Sequence, residues 1–290
     1  MANILAIGIA TIDIINTVET YPDEDNEVRA LKQHQSRGGN ATNTLTILSQ
    51  LGHQCTWGGV LIDESDSKLI KDDLNRYDID FSTCKSLSNG KMPTSYITLN
   101  QKNGSRTIVH YRDCPEFNFD DFNKIDLTQF DWIHFEGRNI EQTRLMLQYL
   151  KLHHPELPCS LEIEKPRPDI EQLFDIPNIL MFSQHYAQSH NFSNATSLLS
   201  SLPSNTIASC AWGKDGAWAI AQQGQMIHSN AFPPEDLVDT LGAGDTFNAG
   251  LIHGLINQQV LQDALSFACQ LAGYKCGQTG FDLSNHPFEL

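Results

Sequence analysis

The chain has 290 residues, which is long enough to bury one large core. Its net charge of −16 and sequence pI near 4.9 exclude proteins that bind nucleic acid through a basic face. Seven scattered cysteines without a Cys-x-x-Cys pair predict reduced thiols in the cytoplasm. No apolar run is long enough to predict a membrane span, and the apolar N-terminus is typical of a buried strand rather than a signal peptide.

Apolar runs of strand length alternate with segments of helical period along most of the chain. This alternation predicts an α/β fold, with a mostly parallel central sheet covered by helices. The predicted strands, in chain order, are 3–10, 57–62, 132–135, 159–163, 179–182 and 207–212. The predicted helices are 41–51, 65–77, 141–152, 196–202, 244–256 and 261–276.

Two stretches, residues 14–36 and 92–112, break the alternation because they read as strands with no helix between them. Lys102, Asn103 and Gly104 form a typical hairpin turn in the second stretch. The four strands predict a small sheet that is separate from an α/β domain made of residues 1–13, 37–91 and 113–290. The small sheet is either a lid over a site or an edge extension of the main sheet.

The segment DTLGAGD, which ends at Asp245, directly precedes a predicted apolar helix. Gly242 and Gly244 allow a ligand to approach the backbone closely, and the first N–H groups of a helix bind anions. Asp245 can cap the helix, or it can take a proton from a hydroxyl that attacks a bound phosphoryl group. The segment therefore indicates either a plain helix cap or a phosphate site with its own base.

A second turn, GGN, contains Gly39 and Asn40 and precedes another predicted helix. Asn40 and Asn43 can lie on one side of the helix start, and amide groups offer the donors and acceptors that bind sugar hydroxyls. An ordinary turn with an Asn cap is the alternative. Asp13 is read as closing the first strand, in ATIDII, where it either binds a ligand or marks the exit of the strand into water.

GGN near residue 40 together with DTLGAGD near residue 240 resembles the paired signature of the ribokinase-like (PfkB) carbohydrate kinases. Further stretches, such as GSRTIVHYR, CAWGKDG and CQLAGYKCGQTGFD, are similar to the branch of that family that converts fructose to fructose 1-phosphate. The resemblance runs from residue 13 to residue 282. It implies a ribokinase-like fold and an ATP-dependent kinase for a ketohexose. A same-fold kinase for ribose or adenosine and a catalytically silent sugar-binding relative are the alternatives.

The resemblance also implies a role for each matching residue. Asp245 would be the base for the sugar hydroxyl, and the amides of Gly242, Ala243 and Gly244 would hold the transferring phosphoryl group. The implied sugar-binding residues are Asp13, Gly39, Asn40, Asn43 and Asp245, with Arg106 on the hairpin reaching substrate or ATP phosphates. The implied ATP-binding residues are Gly213 and Gly216 in a G-x-x-G turn, Phe232 and Pro233 beside the adenine, Cys269 and Cys276 on the same side, and Gly242 and Gly244.

Metal ions and a partner are implied in the same way. Mg²⁺ would bind the ATP phosphates, and K⁺ would lie beside the anion hole with Asp239 as its carboxylate. The chain departs from the family where an Asn-x-x-Glu motif is expected, since residues 183–186 read SQHY, so the Mg²⁺ ligands stay unassigned. Glu136, Glu162 and Glu164 are acids near strand ends, where they either serve the site or act as caps or surface charges. A homodimer through the small sheet is also expected, since exposed sheet edges invite pairing.

Overall fold

Two separate sheets make up most of the strand structure of residues 1–283, the part of the chain that this computed structural model describes. The strands are β1 (Asn3–Ile7), β2 (Thr11–Val18), β3 (Lys32–Gly38), β4 (Gln54–Gly58), β5 (Val60–Ile62), β6 (Ile79–Asp80), β7 (Lys85–Leu87), β8 (Lys91–Asn100), β9 (Arg106–Asp113), β10 (Trp132–Glu136), β11 (Cys159–Ile163), β12 (Ile179–Ser183), β13 (Ala208–Ala211), β14 (Ala217–Ile220) and β15 (Met226–Ser229). The helices are α1 (Asn40–Gln50), α2 (Ser67–Arg76), α3 (Phe119–Phe122), α4 (Ile140–His153), α5 (Gln184–Ser189), α6 (Ala195–Ser200), α7 (Ala243–Ile256) and α8 (Leu261–Cys276).

The larger sheet has nine strands within residues 1–283, in the order β15-β14-β13-β12-β11-β10-β1-β4-β6. Its strands pair in parallel except where β14 lies antiparallel to β13 and β15. Strand β1 is buried almost throughout because helices cover both faces of the sheet, which explains its continuous apolar sequence. Strand β4 pairs with one side of β1, and β10, which comes later in the chain, pairs with the other side. Open α/β sheets bind ligands at the carboxyl ends of the strands where the strand order reverses in this way.

The smaller sheet has the strand order β3-β2-β8-β9, and none of these strands pairs with the nine-stranded sheet within the described residues. The small separate sheet predicted from the sequence is therefore confirmed, and the edge-extension alternative is wrong. Asp13 lies inside β2 of the small sheet rather than at the end of the first strand. A single glycine, Gly8, lies between Ile7 and Thr11, and the prediction read it as part of one continuous strand instead of as the change of sheet.

Most predicted elements of the α/β part have counterparts in the structure, and α8 and β11 have the predicted bounds. The predicted strand 57–62 is wrong, since it is divided into β4 and β5, which belong to different sheets. The break falls at Gly59, where a Cβ would lie only 2.2 Å from the Trp57 ring. The hairpin β14–β15 and the short helix α5 are absent from the prediction.

Helices α7 and α8 pack closely and hold the start of α7 in place. A Cβ at Gly250 or Gly254 of α7 would approach the backbone of Ala268 or Ala264 of α8 to 2.8 Å. These contacts need glycine, so the two helix axes lie nearer than side chains would allow. None of the helices within residues 1–283 is both long and apolar enough to cross a membrane.

Candidate active site

The turn before α7 has a conformation that requires glycine. Gly242 has φ of 77°, and a Cβ there would lie 2.3 Å from the ring of Phe281. The Gly242 carbonyl accepts bonds from both the amide and the hydroxyl of Thr246, at 2.9 Å each. These contacts fix the direction in which the chain enters α7.

Three amides at this turn are free to bind an anion. The N–H groups of Gly242, Gly244 and Asp245 have no hydrogen-bond partner among residues 1–283. The Ala243 amide, which was also predicted to hold the phosphoryl group, instead donates to the Thr240 carbonyl over a long 3.3 Å. Free amides together with the positive end of the α7 dipole can bind an anion.

Asp245 is buried beside these amides, with 6% of its surface exposed. Its Oδ2 accepts a 2.7 Å bond from Nδ2 of Asn43 on α1. Burial raises the pKa of Asp245 to about 7, and the negative charges of Glu164 and Glu136 add to the rise, while the Asn43 bond and the Arg37 charge oppose it. A carboxylate with a pKa near neutrality suits a general base at physiological pH.

Arg37 orients the Asn43 amide, a role that was not predicted from the sequence. Its buried guanidinium donates to Asn43 Oδ1 at 2.8 Å and to Thr42 and Thr46 at 2.7 Å, and it pairs with Asp73 at 2.5 Å. Because the Asn43 oxygen accepts from Arg37, its NH₂ group is directed at Asp245. The one available signal was the position of Arg37 directly before the GGN turn.

Asn40 is directed at a different pair of carboxylates. Its Nδ2 lies 3.1 Å from both Glu162 oxygens and 3.1 Å from Glu164 Oε2. Asn248, one turn after Asp245 on α7, donates to Glu162 Oε1 at 3.1 Å. Burial and the nearby charges of Asp245, Glu164 and Glu136 raise the pKa of Glu162 well above its ordinary value. Glu162 therefore belongs to the same acidic cluster as Asp245.

The GGN turn brings the small sheet against this cluster. A Cβ at Gly38 would lie 2.1 Å from the Asp13 carboxylate, and one at Gly39, with φ of 108°, would lie 2.1 Å from the Ile9 carbonyl. Asp13 is buried and accepts a 2.8 Å bond from the Thr11 hydroxyl. Burial raises its pKa despite opposing hydrogen bonds from Thr11 and Ser95. Contacts through the GGN turn and α1 thus connect Asp13 on the small sheet with Asn43 and Asp245.

Arg106 does not join them. It pairs with Leu99 near the tip of the hairpin and is exposed, whereas the β9 residue level with Ser95 and Asp13 is His110. Four residues along a strand separate Arg106 from His110, which is roughly 13 Å. His110 is therefore the β9 residue nearest to Asp13, and counting the strand register back from the turn could have identified it. The role of Arg106 toward substrate or ATP phosphates stays a prediction.

The predicted G-x-x-G turn lies at the end of β13. Gly213 and Gly216 both have positive φ, of 58° and 87°. A Cβ at Gly216 would lie 2.0 Å from the Ser229 carbonyl, so this glycine is required for packing against the end of β15. Gly213 faces more open space, with the Gln184 side chain as its nearest neighbour at 3.6 Å from a Cβ. Gly213 is therefore the member of the turn that a ligand can approach.

An open cleft beside α8 fits the predicted adenine position. Phe232 lies at its edge with 42% of its surface exposed. The residues that line the cleft are Phe232, Pro234, Glu235, Asp236, Gln270, Gly273, Tyr274, Gly277 and Gln278. Pro233, Cys269 and Cys276 are not among them. Cys269 is buried, with 6% of its surface exposed. Gly273 of α8 lets the backbone of Phe232 lie against the helix, because a Cβ there would be 1.9 Å from the Phe232 carbonyl oxygen.

Asp239, the predicted K⁺ ligand, is paired within the protein. Its Oδ2 and its carbonyl oxygen each lie 2.9 Å from Nζ of Lys275, whose side chain is 1% exposed. Its Oδ1 accepts from the Leu241 amide at 2.9 Å. The negative charge of Asp239 is therefore already matched by a lysine that the sequence analysis did not consider.

The segment that replaces the Asn-x-x-Glu motif has a structural role. The Ser183 hydroxyl caps α5 through the Tyr186 amide at 3.0 Å and donates to the Glu164 carbonyl at 2.6 Å. Tyr186 packs in the core against Phe182. Among residues 1–283, no group of three or more His, Cys, Asp or Glu side chains is arranged to hold a metal ion.

The geometry and the comparisons with known proteins agree on the class of enzyme. The family described as pfkB family carbohydrate kinase matches residues 1–287, so the chain belongs to that family. Ketohexokinase of Mus musculus is 42% identical over 96% of this chain and 97% of that protein. Ribokinase of Bacillus subtilis (strain 168) is 24% identical over 100% of this chain and 99% of that protein.

Solved structures share the fold. Ribokinase from Giardia lamblia superposes with a TM-score of 0.81 at 16% identity, over 97% of this chain and 94% of that one. Arabidopsis thaliana ribokinase complexed with ribose and ATP superposes with a TM-score of 0.79 at 19% identity, over 96% of this chain and 94% of that one. The predicted ribokinase-like fold is confirmed.

Proposed function

We propose that the chain is an ATP-dependent kinase that phosphorylates a ketohexose, converting fructose to fructose 1-phosphate. The observation that carries the chemistry is the buried Asp245 carboxylate, with a pKa near 7, directly beside free amides at the start of α7. The similarity to mouse ketohexokinase over nearly the full length of both chains favours a ketohexose as the acceptor.

In the proposed reaction, Asp245 takes the proton from the sugar hydroxyl as that oxygen attacks the γ-phosphorus of ATP. The new O–P bond forms as the bond from the γ-phosphorus to the ADP oxygen breaks. The amides of Gly242 and Gly244 stabilise the charge on the phosphoryl oxygens, so positioning and charge neutralisation supply most of the catalysis. Asp13 and Asn40 are proposed to bind the sugar from the side of the small sheet.

Mg²⁺ fits the acidic cluster, although its ligands stay unassigned. Burial first, and then the negative charges of Asp245, Glu164 and Glu136, raise the pKa of Glu162, so a cation near these carboxylates would favour their ionised forms. A hydrated cation relieves such repulsion without a full set of protein ligands, since Mg²⁺ keeps several waters and binds through phosphates. When bound with ATP, the ion would neutralise the β- and γ-phosphate oxygens.

The acceptor assay tests this function. We expect Mg·ATP and fructose to release ADP with a higher kcat/KM than ribose or adenosine, and we expect product analysis to find the phosphate on the 1-hydroxyl. ADP release with ribose or adenosine but not with ketohexoses would contradict the ketohexose proposal and support the alternative acceptor.

Repeating the assay in KCl and NaCl at equal ionic strength tests the K⁺ prediction. A K⁺ ion at this loop would need oxygens other than those of Asp239 that bind Lys275.

We also propose that the small sheet forms a homodimer. Strand β9 is an exposed edge, and Tyr96, Val109 and Tyr111, which lie on one face, are 47%, 65% and 50% exposed. We expect light scattering at micromolar concentration to give twice the chain mass. Val109→Glu is expected to give the monomer mass, because it places a charge in the apolar face. A wild-type monomer contradicts the proposal.

A further inference from the structure

A buried ammonium group lies directly behind the anion site. Lys275 is in the last turn of α8, and its side chain is among the largest that are fully buried. Removing an ammonium ion from water is costly unless it gains a charge partner with good geometry. An apolar side chain would fill this space with a smaller desolvation penalty, so the lysine is expected to have a role other than packing.

The contacts of Lys275 tie three segments together. Its Nζ donates to the side chain and to the carbonyl of Asp239, at 2.9 Å each. Asp239 in turn accepts from the amides of Leu241, at 2.9 Å, and Gly280, at 3.3 Å. The ammonium therefore connects the end of α8, the loop that leads to Gly242, and the segment at residue 280.

A second route leads from Lys275 to the same glycine. Its Nζ lies 5.6 Å from the centre of the Phe281 ring, within cation–π range. The ring of Phe281 fills the space where a Cβ of Gly242 would be. The position of the Gly242 amide thus depends on Lys275 both through the Asp239–Leu241 turn and through Phe281.

We propose that Lys275 is a positioning residue for phosphoryl transfer, whose ammonium acts as a built-in monovalent cation. It holds the loop from Asp239 to Gly242 so that the free amides face the phosphoryl group. This inference rests on the proposed function, because the anion is taken to be the phosphoryl group of ATP.

Removal of the ammonium and its chemical replacement test the proposal. Lys275→Ala is expected to lower kcat by about 10²-fold while the sugar KM changes little, because the transition state depends on the amides. Ethylammonium chloride is expected to restore activity about tenfold, since the ion fits the space left by the side chain and supplies the missing charge. Choline chloride at equal ionic strength is the control and is expected to restore nothing. Rescue by choline, or a kcat near that of the wild type, overturns the proposal.

A double variant separates positioning from simple stability. Lys275→Met leaves Asp239 unpaired in a partly buried place and is expected to lower the unfolding temperature. Adding Asp239→Asn removes the second charge, so the stability of Lys275→Met/Asp239→Asn is expected to recover. The kcat is expected to stay about tenfold or more below the wild type, since the loop lacks its cation. A kcat that recovers together with the unfolding temperature would reduce Lys275 to a structural residue.

One readout does not require turnover. Ethylammonium is expected to raise the unfolding temperature and the ADP affinity of Lys275→Ala but not those of the wild type. The matched control is Lys85→Ala. Lys85 forms a 3.0 Å ion pair with Asp121 and lies outside the site, so its removal is expected to show no ammonium effect. If the wild type phosphorylates no acceptor, the proposed function is wrong, but the proposal for Lys275 is not contradicted by that result. Absence of the ammonium effect on both quantities defeats the proposal for Lys275.

Discussion

Asp245→Asn is expected to lower kcat by about 10²–10⁴-fold, while the dissociation constant of the sugar stays within a few-fold of the wild type. The replacement keeps the size of the side chain and an oxygen that can accept the 2.7 Å bond from Asn43. It removes only the ability to take the proton. Turnover in an ADP-release assay and sugar affinity by calorimetry are the two measurements.

The same residue predicts the pH dependence of the wild type. Burial raises the pKa of Asp245 to about 7, so the carboxylate is mostly protonated below that pH and mostly ionised above it. Only the ionised form accepts a proton, so log kcat/KM is expected to fall with unit slope as the pH decreases through 7. Asp245→Asn is expected to lose this limb, because no titrating base remains.

Asp263→Asn is the matched control, since Asp263 is the third residue of α8 as Asp245 is the third residue of α7. Both are acids in the first turn of a helix, but Asp263 is exposed and has no part in the site. We expect its replacement to leave kcat and the pH profile unchanged. If Asp263→Asn and Asp245→Asn had equal effects, Asp245 would be a helix cap rather than the base.

The sequence predicted the parts of this site that depend on local backbone geometry. A turn with two glycines before a helix indicates amides that can bind an anion, which is why Gly242 and Gly244 were predicted as part of the site. The pair GGN and DTLGAGD added the family, and the family match over residues 1–287 agrees. The parallel sheet followed from the alternation of strand and helix segments.

The residues that the sequence analysis missed act through contacts between distant segments. Arg37 bonds to Asp73 and to three residues of α1, and Lys275 bonds to Asp239, 36 positions earlier. A lysine in an amphipathic helix reads as a solvent-exposed residue unless its partner is known. His110 was missed for a related reason, because the register of a hairpin decides which residue of β9 lies beside Asp13.

Gly242→Ala is expected to lower kcat by about 10²–10³-fold, the cost of losing a backbone donor from an oxyanion site. Alanine is strained at a φ of 77°, and its Cβ would lie 2.3 Å from the Phe281 ring, so the turn has to shift. A shift of the turn displaces the free amides while leaving Asp245 on α7. Sugar affinity is therefore expected to stay within a few-fold of the wild type, and kcat in the ADP-release assay measures the loss.

Two control variants separate the causes of this loss. Gly52→Ala has the same positive-φ strain, with φ of 84°, but its Cβ would meet nothing within 4 Å, so we expect a small loss of stability and an unchanged kcat. In Gly242→Ala/Phe281→Ala the ring is removed, so relief of the clash is expected to recover part of kcat. The remaining deficit combines the backbone strain at Gly242 with the loss of the Phe281 contact. A Gly242→Ala protein with wild-type kcat would exclude this turn from phosphoryl transfer, because its amides cannot keep their positions when the turn moves.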